Sequence, residues 1–225
     1  MTASLPSGED VYSILAPADA SAFEDLFELY RSSMPAAERK SRATLLAFLG
    51  RNDYQVVLLH RAERLIGYSI TFVPENDNFC LLEYMAVREG FRGGGIGAEL
   101  FRHSVDTARA GRRDVAVLLE VDSYREASPD RAMRVRRQAF YQRLGCLRVE
   151  GLDYLLPLDT GRTPPVMDLM ILPPADGRVI RRAELERWLR TVYVAVYDQS
   201  PSDPRIARMV STVDDPLQLS GVIPR

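Results

Sequence analysis

Between Glu83 and Phe101 the chain reads EYMAVREGFRGGGIGAELF. Glycine occupies positions 93, 94, 95 and 97, between an apolar run and a stretch of helical periodicity. Because glycine weakens both helix and strand, such a cluster serves the conformations and close approaches that only glycine permits. A strand, a glycine-rich turn and a helix N-terminus together hold anionic oxygens well. The first-turn amides lack partners within the helix and point outward, and the helix dipole adds partial positive charge. Three kinds of loop use this device. A GxxxxGK[ST] phosphate loop is excluded, because neither lysine nor Ser/Thr follows the glycines. A dinucleotide fingerprint is excluded as well: GxGxxG is absent, and three strand-like runs already precede the loop. The third kind depends on the rest of the chain.

Periodicity predicts a strand at Val11–Leu15, then a helix opened by a capping box at Ser21–Glu24 and carrying Phe23, Leu26, Phe27 and Tyr30. Met34-Pro35 stops that helix, and Ala43–Leu49 is a shorter second one. Tyr54–Leu59 and Leu65–Val73 read as a hairpin across a polar link. The turn PENDN leads to a third run, Phe79–Val87. After the glycines, Ile96–Ala110 is helical and Val115–Val121 is a strand apolar enough for burial on both faces. Ser128-Pro129-Asp130 reads as a helix start, with Met133, Phe140 and Leu144 as its apolar stripe and Gly145 as its stop. Leu147–Val149 and Val166–Leu172 are further strands and Arg182–Tyr197 a further helix. The Pro/Ser/Asp-rich remainder is expected to be loosely ordered. The order implies an α/β protein with a mixed sheet and helices on its faces.

Charge narrows the function. Lys+Arg 29 against Asp+Glu 31 leaves a formal net charge of -2, so no basic field exists to collect nucleic acid. Lys40 is the only lysine. No run approaches the length of a membrane span, the start of the chain lacks the build of a signal peptide, and Cys80 and Cys146 form no CxxC. A cytoplasmic protein without a metal site is expected; His60 and His103 read as packing or surface residues.

Arg92-Gly-Gly-Gly95-Ile-Gly97, after a strand ending Tyr84-Met-Ala-Val87, resembles the R/Q-x-x-G-x-G/A signature of the GNAT family, the Gcn5-related N-acetyltransferases. Ala139-Phe-Tyr141-Gln-Arg-Leu-Gly145 resembles that family's AFYxxLGF-like helix end, departing from it at Cys146. Ser32 to Arg39, with Met34-Pro35 and Glu38-Arg39, is similar to its FPxxER-type turn. The resemblance covers roughly Val11 to Val149, and the last third has no match.

The resemblance implies the GNAT fold: a central, mixed, mostly antiparallel twisted sheet with splayed middle strands, flanked by helices. It implies a catalytic domain over residues 1–158 with an extension over 159–225. Acetyl-CoA is the implied acyl donor, its pyrophosphate on Arg92, Gly93, Gly94, Gly95, Ile96 and Gly97. The thioester oxygen then lies near a backbone N–H of Met85, Ala86 or Val87.

On an extended strand Glu83 shares a face with Met85 and Val87, which makes it the first choice for general base. The alternative is a carboxylate that orients water or pairs with arginine. Tyr141 stands at the family's tyrosine position, a proton donor to the leaving thiolate or else a core aromatic. Glu120 and Asp122 are second choices for base or for binding a cationic substrate. Arg134 or Arg137 suits an acceptor carboxylate or a salt-bridged helix face. The expected acceptor is a small-molecule amine: an amino acid, polyamine or aminated antibiotic. The alternatives are a protein lysine or N-terminus, or a non-catalytic acyl-CoA-binding module. Neither nucleic acid nor membrane is an expected partner, and monomer and homodimer both remain open.

Overall fold

The computed structural model describes residues 8–17, 19–36, 39–157 and 166–221. Its elements are β1 (Asp10–Ile14), α1 (Ala20–Ser33), α2 (Arg42–Leu49), β2 (Tyr54–Arg61), β3 (Arg64–Phe72), β4 (Phe79–Val87), α3 (Ile96–Arg109), β5 (Ala116–Asp122), α4 (Arg131–Arg143), β6 (Leu147–Val149), β7 (Met167–Leu172), α5 (Arg182–Ala195), α6 (Pro204–Val210) and β8 (Leu219–Ser220). The strands pair in a mixed way, as the order of elements predicts, and mostly antiparallel, as the resemblance implies. The chain divides into two compact units, Met1–Asn76 with Leu82–Gly111, and Asp77–Leu81 with Arg112–Arg225. The domain boundary expected at 158/159 lies outside the described residues, as does Glu38 of the expected turn.

In the first unit β1, β2 and β3 are consecutive antiparallel neighbours, and β4 lies beside β3. Alternation along β2 supplies two apolar layers. Val56 and Leu58 pack with Phe23, Leu26, Leu29 and Tyr30 of α1 and Leu45 and Phe48 of α2. Val57 and Leu59 pack with Ile66, Val87, Phe91, Ile96 and Leu100, the α3 side. The cap of α1 is Asp19, whose carboxylate accepts from Ala22 N at 2.9 Å. The expected capping box at Ser21 therefore falls inside the helix, because an acid two residues earlier already satisfies the first-turn amides. The β2–β3 turn places Ala62 at φ 49° and Glu63 at φ 62°, left-handed values usually left to Gly or Asn.

In the second unit Phe79–Leu81 pair in parallel with Ala116–Leu118, where that ladder ends well short of both strands' ends. An early end of this kind is what splayed middle strands require. β5 continues antiparallel to β7, β7 to β6 and β6 to β8. Helix α5 buries Leu185, Trp188, Leu189, Val192 and Tyr193 and is clamped to the PENDN turn. Trp188 Nε1 donates to Asn78 Oδ1 at 2.9 Å, and Thr191 and Arg187 donate to the Asp77 carboxylate at 2.9 and 2.8 Å.

Three expectations fail here. The tail beyond α5 is packed: Asp203 caps α6, and Ile206, Met209, Val210, Val213 and Leu217 are buried. Apolar spacing of three and four residues after an Asp-Pro start outweighs the turn-rich composition. Helix α4 starts at Arg131 with Asp130 as its N-cap, and Ser128 shapes the turn before it. Its supposed stripe is also wrong: Met133 is 55% exposed, and the buried residue of α4 is Gln138. The Gln138 amide donates to Asp122 O and to the buried Asp168 Oδ2, each at 2.9 Å.

Candidate active site

The loop after β4 is fastened at both ends and open between. Phe91, closing a turn of 3-10 helix, and Ile96, opening α3, are buried in the α3-side layer, whereas Arg92 to Gly95 are exposed. Arg92 Nε donates back to Val87 O at 3.1 Å and ties the loop to the strand. Gly93, Gly94 and Gly95 have φ of 102°, 60° and 88°, and a Cβ on any of them would meet nothing within 4 Å. Conformation and not crowding is what demands glycine here. Among the described residues the amides of Gly93, Gly94 and Gly95 donate to no backbone carbonyl. Successive unpaired amides leading into a helix N-terminus form a concavity suited to phosphate oxygens. The residues present thus fit the diphosphate of a CoA ester.

Glu83 lies in the same unit. Its side chain is only 5% exposed; the Tyr54 phenol donates to Oε1, and Lys40 Nζ stands 3.8 Å from Oε2. Burial pushes its carboxyl above the ordinary value, opposed by Lys40, the Tyr54 hydrogen bond and Arg51. A raised proton affinity makes the carboxylate a stronger proton acceptor, as a general base requires. The expectation that Glu83 shares a face with Met85 and Val87 is not met. Met85 and Val87 pack in the α3-side layer, whereas Tyr54 packs against the α1–α2 layer and Lys40 lies over Phe48 of that layer. Along this part of β4 the layers alternate, Tyr84 and Ala86 on the α1–α2 side and Met85 and Val87 on the α3 side; the carboxylate of Glu83, at the end of a long, flexible side chain, is aimed by its hydrogen-bond donor Tyr54 as well as by its Cα. Ala86, on the α1–α2 side, presents its carbonyl 3.2 Å from where a Cβ of Gly67 would stand, so Gly67 keeps β3 close to β4.

The other expected residues belong to the second unit. Tyr141 is partly covered on α4, stacked edge-on against Phe140, and burial pushes its phenol up to about 12. Such a phenol keeps its proton at neutral pH and can donate it. Glu120, on β5, accepts from the phenols of Tyr154 and Tyr197, one hydroxyl on each carboxylate oxygen. Asp122 is paired with Arg137 at 2.6 Å. Arg134 donates to Ser123 O at 3.1 Å and lies 3.8 Å from Asp130, and its Nε is buried without a hydrogen-bond partner. Asp168, 1% exposed, takes Gln138 at 2.9 Å and Arg125 at 2.8 Å.

Sequence reasoning missed Tyr54, Tyr154, Tyr197 and the role of Lys40. The three tyrosines reach their carboxylates over separations of 29, 34 and 77 residues, with no motif linking them. For Lys40 a signal existed, a single lysine in a chain that otherwise uses arginine. Among the described residues no group of three or more His, Cys, Asp or Glu could hold a metal ion, and no helix is long and apolar enough to cross a membrane.

The sequence model of the acetyltransferase (GNAT) family matches residues 23–146. Among solved structures, a protein described as a putative acetyltransferase of the GNAT family from Bacteroides thetaiotaomicron superposes with a TM-score of 0.68 at 22% identity, covering 84% of this chain and 99% of that one. The ribosomal-protein-S18-alanine N-acetyltransferase of Escherichia coli superposes with a TM-score of 0.53 at 21% identity, over 74% and 95%. Escherichia coli ElaA gives 0.52 at 16%, over 72% and 99%. At these identities the likeness is one of fold. No curated protein matches the sequence.

Proposed function

The chain belongs to the GNAT family of acetyltransferases, and from that premise we propose that it acetylates a primary amine of a small molecule, an amino acid, polyamine or aminated antibiotic, within a ternary complex with acetyl-CoA. The observation carrying this reading is the open loop of three left-handed glycines on the same unit as a buried carboxylate whose proton affinity is raised. Acetyl-CoA supplies the activated acyl group. Arg92 and Gly93 to Gly97 hold its diphosphate. A backbone N–H among Met85, Ala86 and Val87 donates to the thioester oxygen as charge develops there, a contribution of roughly 3–4 kcal/mol for such a donor. Glu83 accepts the proton of the attacking amine, a role worth about 10²–10⁴-fold. Tyr141, still protonated at neutral pH, donates to the departing sulfur.

Glu120, Asp122 and Arg134 are the proposed acceptor contacts. Glu120 takes a phenol from Tyr197, so the stretch after residue 158 reaches the β5 carboxylate. Support of this kind favours a walled site and a small acceptor, with residues 159–225 as its extension. The competing reading, a peptide N-terminus or lysine, needs an open groove instead.

The test is thermal stabilisation by acetyl-CoA, with Gly95→Glu as control, followed by thiol release across an amine panel that includes an N-terminal alanine peptide. At about 100 times its Kd the ligand adds roughly 2.7 kcal/mol, and the glutamate abolishes the gain. Stabilisation equal in both proteins overturns the loop assignment. Release with the peptide alone replaces the small-molecule reading.

A further inference from the structure

We propose that Lys40 is itself an acceptor: the chain acetylates this one side chain, whose amine stands at the Glu83 carboxylate where an incoming substrate amine would. The inference rests on the reading of Glu83 as the base. Three observations lead to it.

The first is placement. Lys40 is held by more than its charge: its backbone N–H donates to the Tyr30 hydroxyl at 2.8 Å, and its ammonium lies 5.2 Å from the centre of the Phe48 ring. The neighbouring Arg39 is tied to Met34 O at 2.8 Å. The segment therefore presents the amine to a carboxylate that is 95% covered, while Lys40 keeps 22% of its own side chain exposed.

The second is the looseness of the pair. The bidentate ion pairs of this unit use arginine at close range, Arg51–Asp53 and Arg61–Asp10 both at 2.6 Å, while Arg88 stands 3.8 Å from Glu28. Lys40 stands at 3.8 Å from Glu83, beyond the roughly 2.7–2.9 Å of a charge-assisted hydrogen bond. The close partner of Glu83 is the Tyr54 phenol, on Oε1, and the lysine stands beside Oε2.

The third is residue choice. Every other basic side chain apart from the two histidines is arginine. A guanidinium cannot be deprotonated in a protein and so cannot act as an acyl acceptor, whereas an ammonium beside a base can. Where this chain needs only a cation it uses arginine; the single lysine stands at the candidate base.

The step balances without an added oxidant or reductant. Glu83 takes a proton from Nζ, the nitrogen attacks the acyl carbon of acetyl-CoA, the N–C bond forms and the C–S bond breaks. The sulfur leaves as CoA thiol after taking up a proton. The product is a neutral amide, so Glu83 loses the cation that opposes its burial. Acyl transfer to an added amine by the modified protein then needs a higher pH.

The experiment incubates the purified full chain with acetyl-CoA and no added amine, then follows intact mass and cleavage by a lysine-specific protease. With one lysine the chain has one cleavage site, and acetylation removes it. The expected result is one acetyl group on Lys40, formed at a rate independent of protein concentration. Lys40→Arg should take up none there, and Glu83→Gln should react roughly a hundredfold more slowly, the low end of what a general base contributes. Tyr54→Phe serves as a second slow variant should Glu83→Gln fail to fold. Acetyl-CoA stabilisation and thiol release with added amines are measured on the same samples. Lys40 left unmodified in protein that turns over an added amine overturns the proposal and leaves the function standing. Equal labelling of wild type and Glu83→Gln, or a rate that grows with protein concentration, also overturns it. Failure to bind acetyl-CoA at all overturns both readings.

Discussion

Gly94→Ala isolates what the glycine loop is for. Gly94 has φ 60°, and a Cβ there meets nothing within 4 Å, so the substitution introduces conformational strain and no collision. For an alanine held in the left-handed region that strain is about 1–2 kcal/mol. Where it shows depends on the loop. Buried Phe91 and Ile96 fix its ends, and Arg92 ties it to Val87 O. If the loop keeps its shape without ligand, chemical denaturation reports the whole loss. If the exposed residues relax, the same free energy appears instead as a weaker acetyl-CoA complex, roughly five- to thirtyfold in Kd at 1.4 kcal/mol per decade. The sum of the two losses is the predicted quantity, read by denaturant midpoint and calorimetric titration on the same protein. Gly94→Asn should lose less, because asparagine tolerates this region better. An alanine variant unchanged in both stability and affinity would falsify the conformational argument. A combined loss far above 2 kcal/mol would refute the open space around the loop. Gly151→Ala is the contrast: φ is 72° and its Cβ would stand 2.6 Å from Thr212 O, so backbone must move. Its loss should reach roughly 3 kcal/mol or more, all in stability.

Glu83→Gln should lower turnover by about 10²-fold or more while leaving the protein at least as stable at neutral pH. The folded-state carboxyl binds its proton more tightly than the unfolded chain's, at 4.5. Between the two values the native state therefore holds more protons, and wild-type stability falls as pH rises through that window. Glutamine removes this pH dependence, so paired denaturation curves at acid and neutral pH should converge; a variant less stable at neutral pH and no different at acid pH contradicts the assignment. Tyr12→Phe should be neutral or stabilising by up to about 1 kcal/mol in thermal or chemical unfolding. The Tyr12 hydroxyl is buried without a hydrogen-bond partner, and the ring's stacking on His103, 4.2 Å between centres, survives. A loss above that amount would mean the hydroxyl is satisfied. Replacing Ala62-Glu63 by Asn-Gly should raise the unfolding midpoint, since both positions have left-handed φ; a lower midpoint would show that these side chains contribute more than the turn strains.

What the chain's own order of residues determined is local. Apolar spacing over a few residues placed nearly every helix and strand, and Asp-Pro, Gly145 and the PENDN turn punctuate them because cap and turn preferences act within one turn of backbone. The glycine loop was legible for the same reason: three successive left-handed residues and a helix start are properties of adjacent positions. Residues far apart in sequence were not legible. That Glu83 meets Tyr54 and Lys40, that Glu120 is held by Tyr154 and Tyr197, and that the PENDN turn anchors α5 through Asp77 and Asn78 are outcomes of packing. Strand parity alone does not place the Glu83 carboxylate, because the Tyr54 phenol and the Lys40 ammonium waiting beside it set where it points. Tertiary structure alone decides which carboxylates are buried and with which partners, because desolvation and hydrogen bonding are set by every group that closes around them and not by their neighbours along the chain.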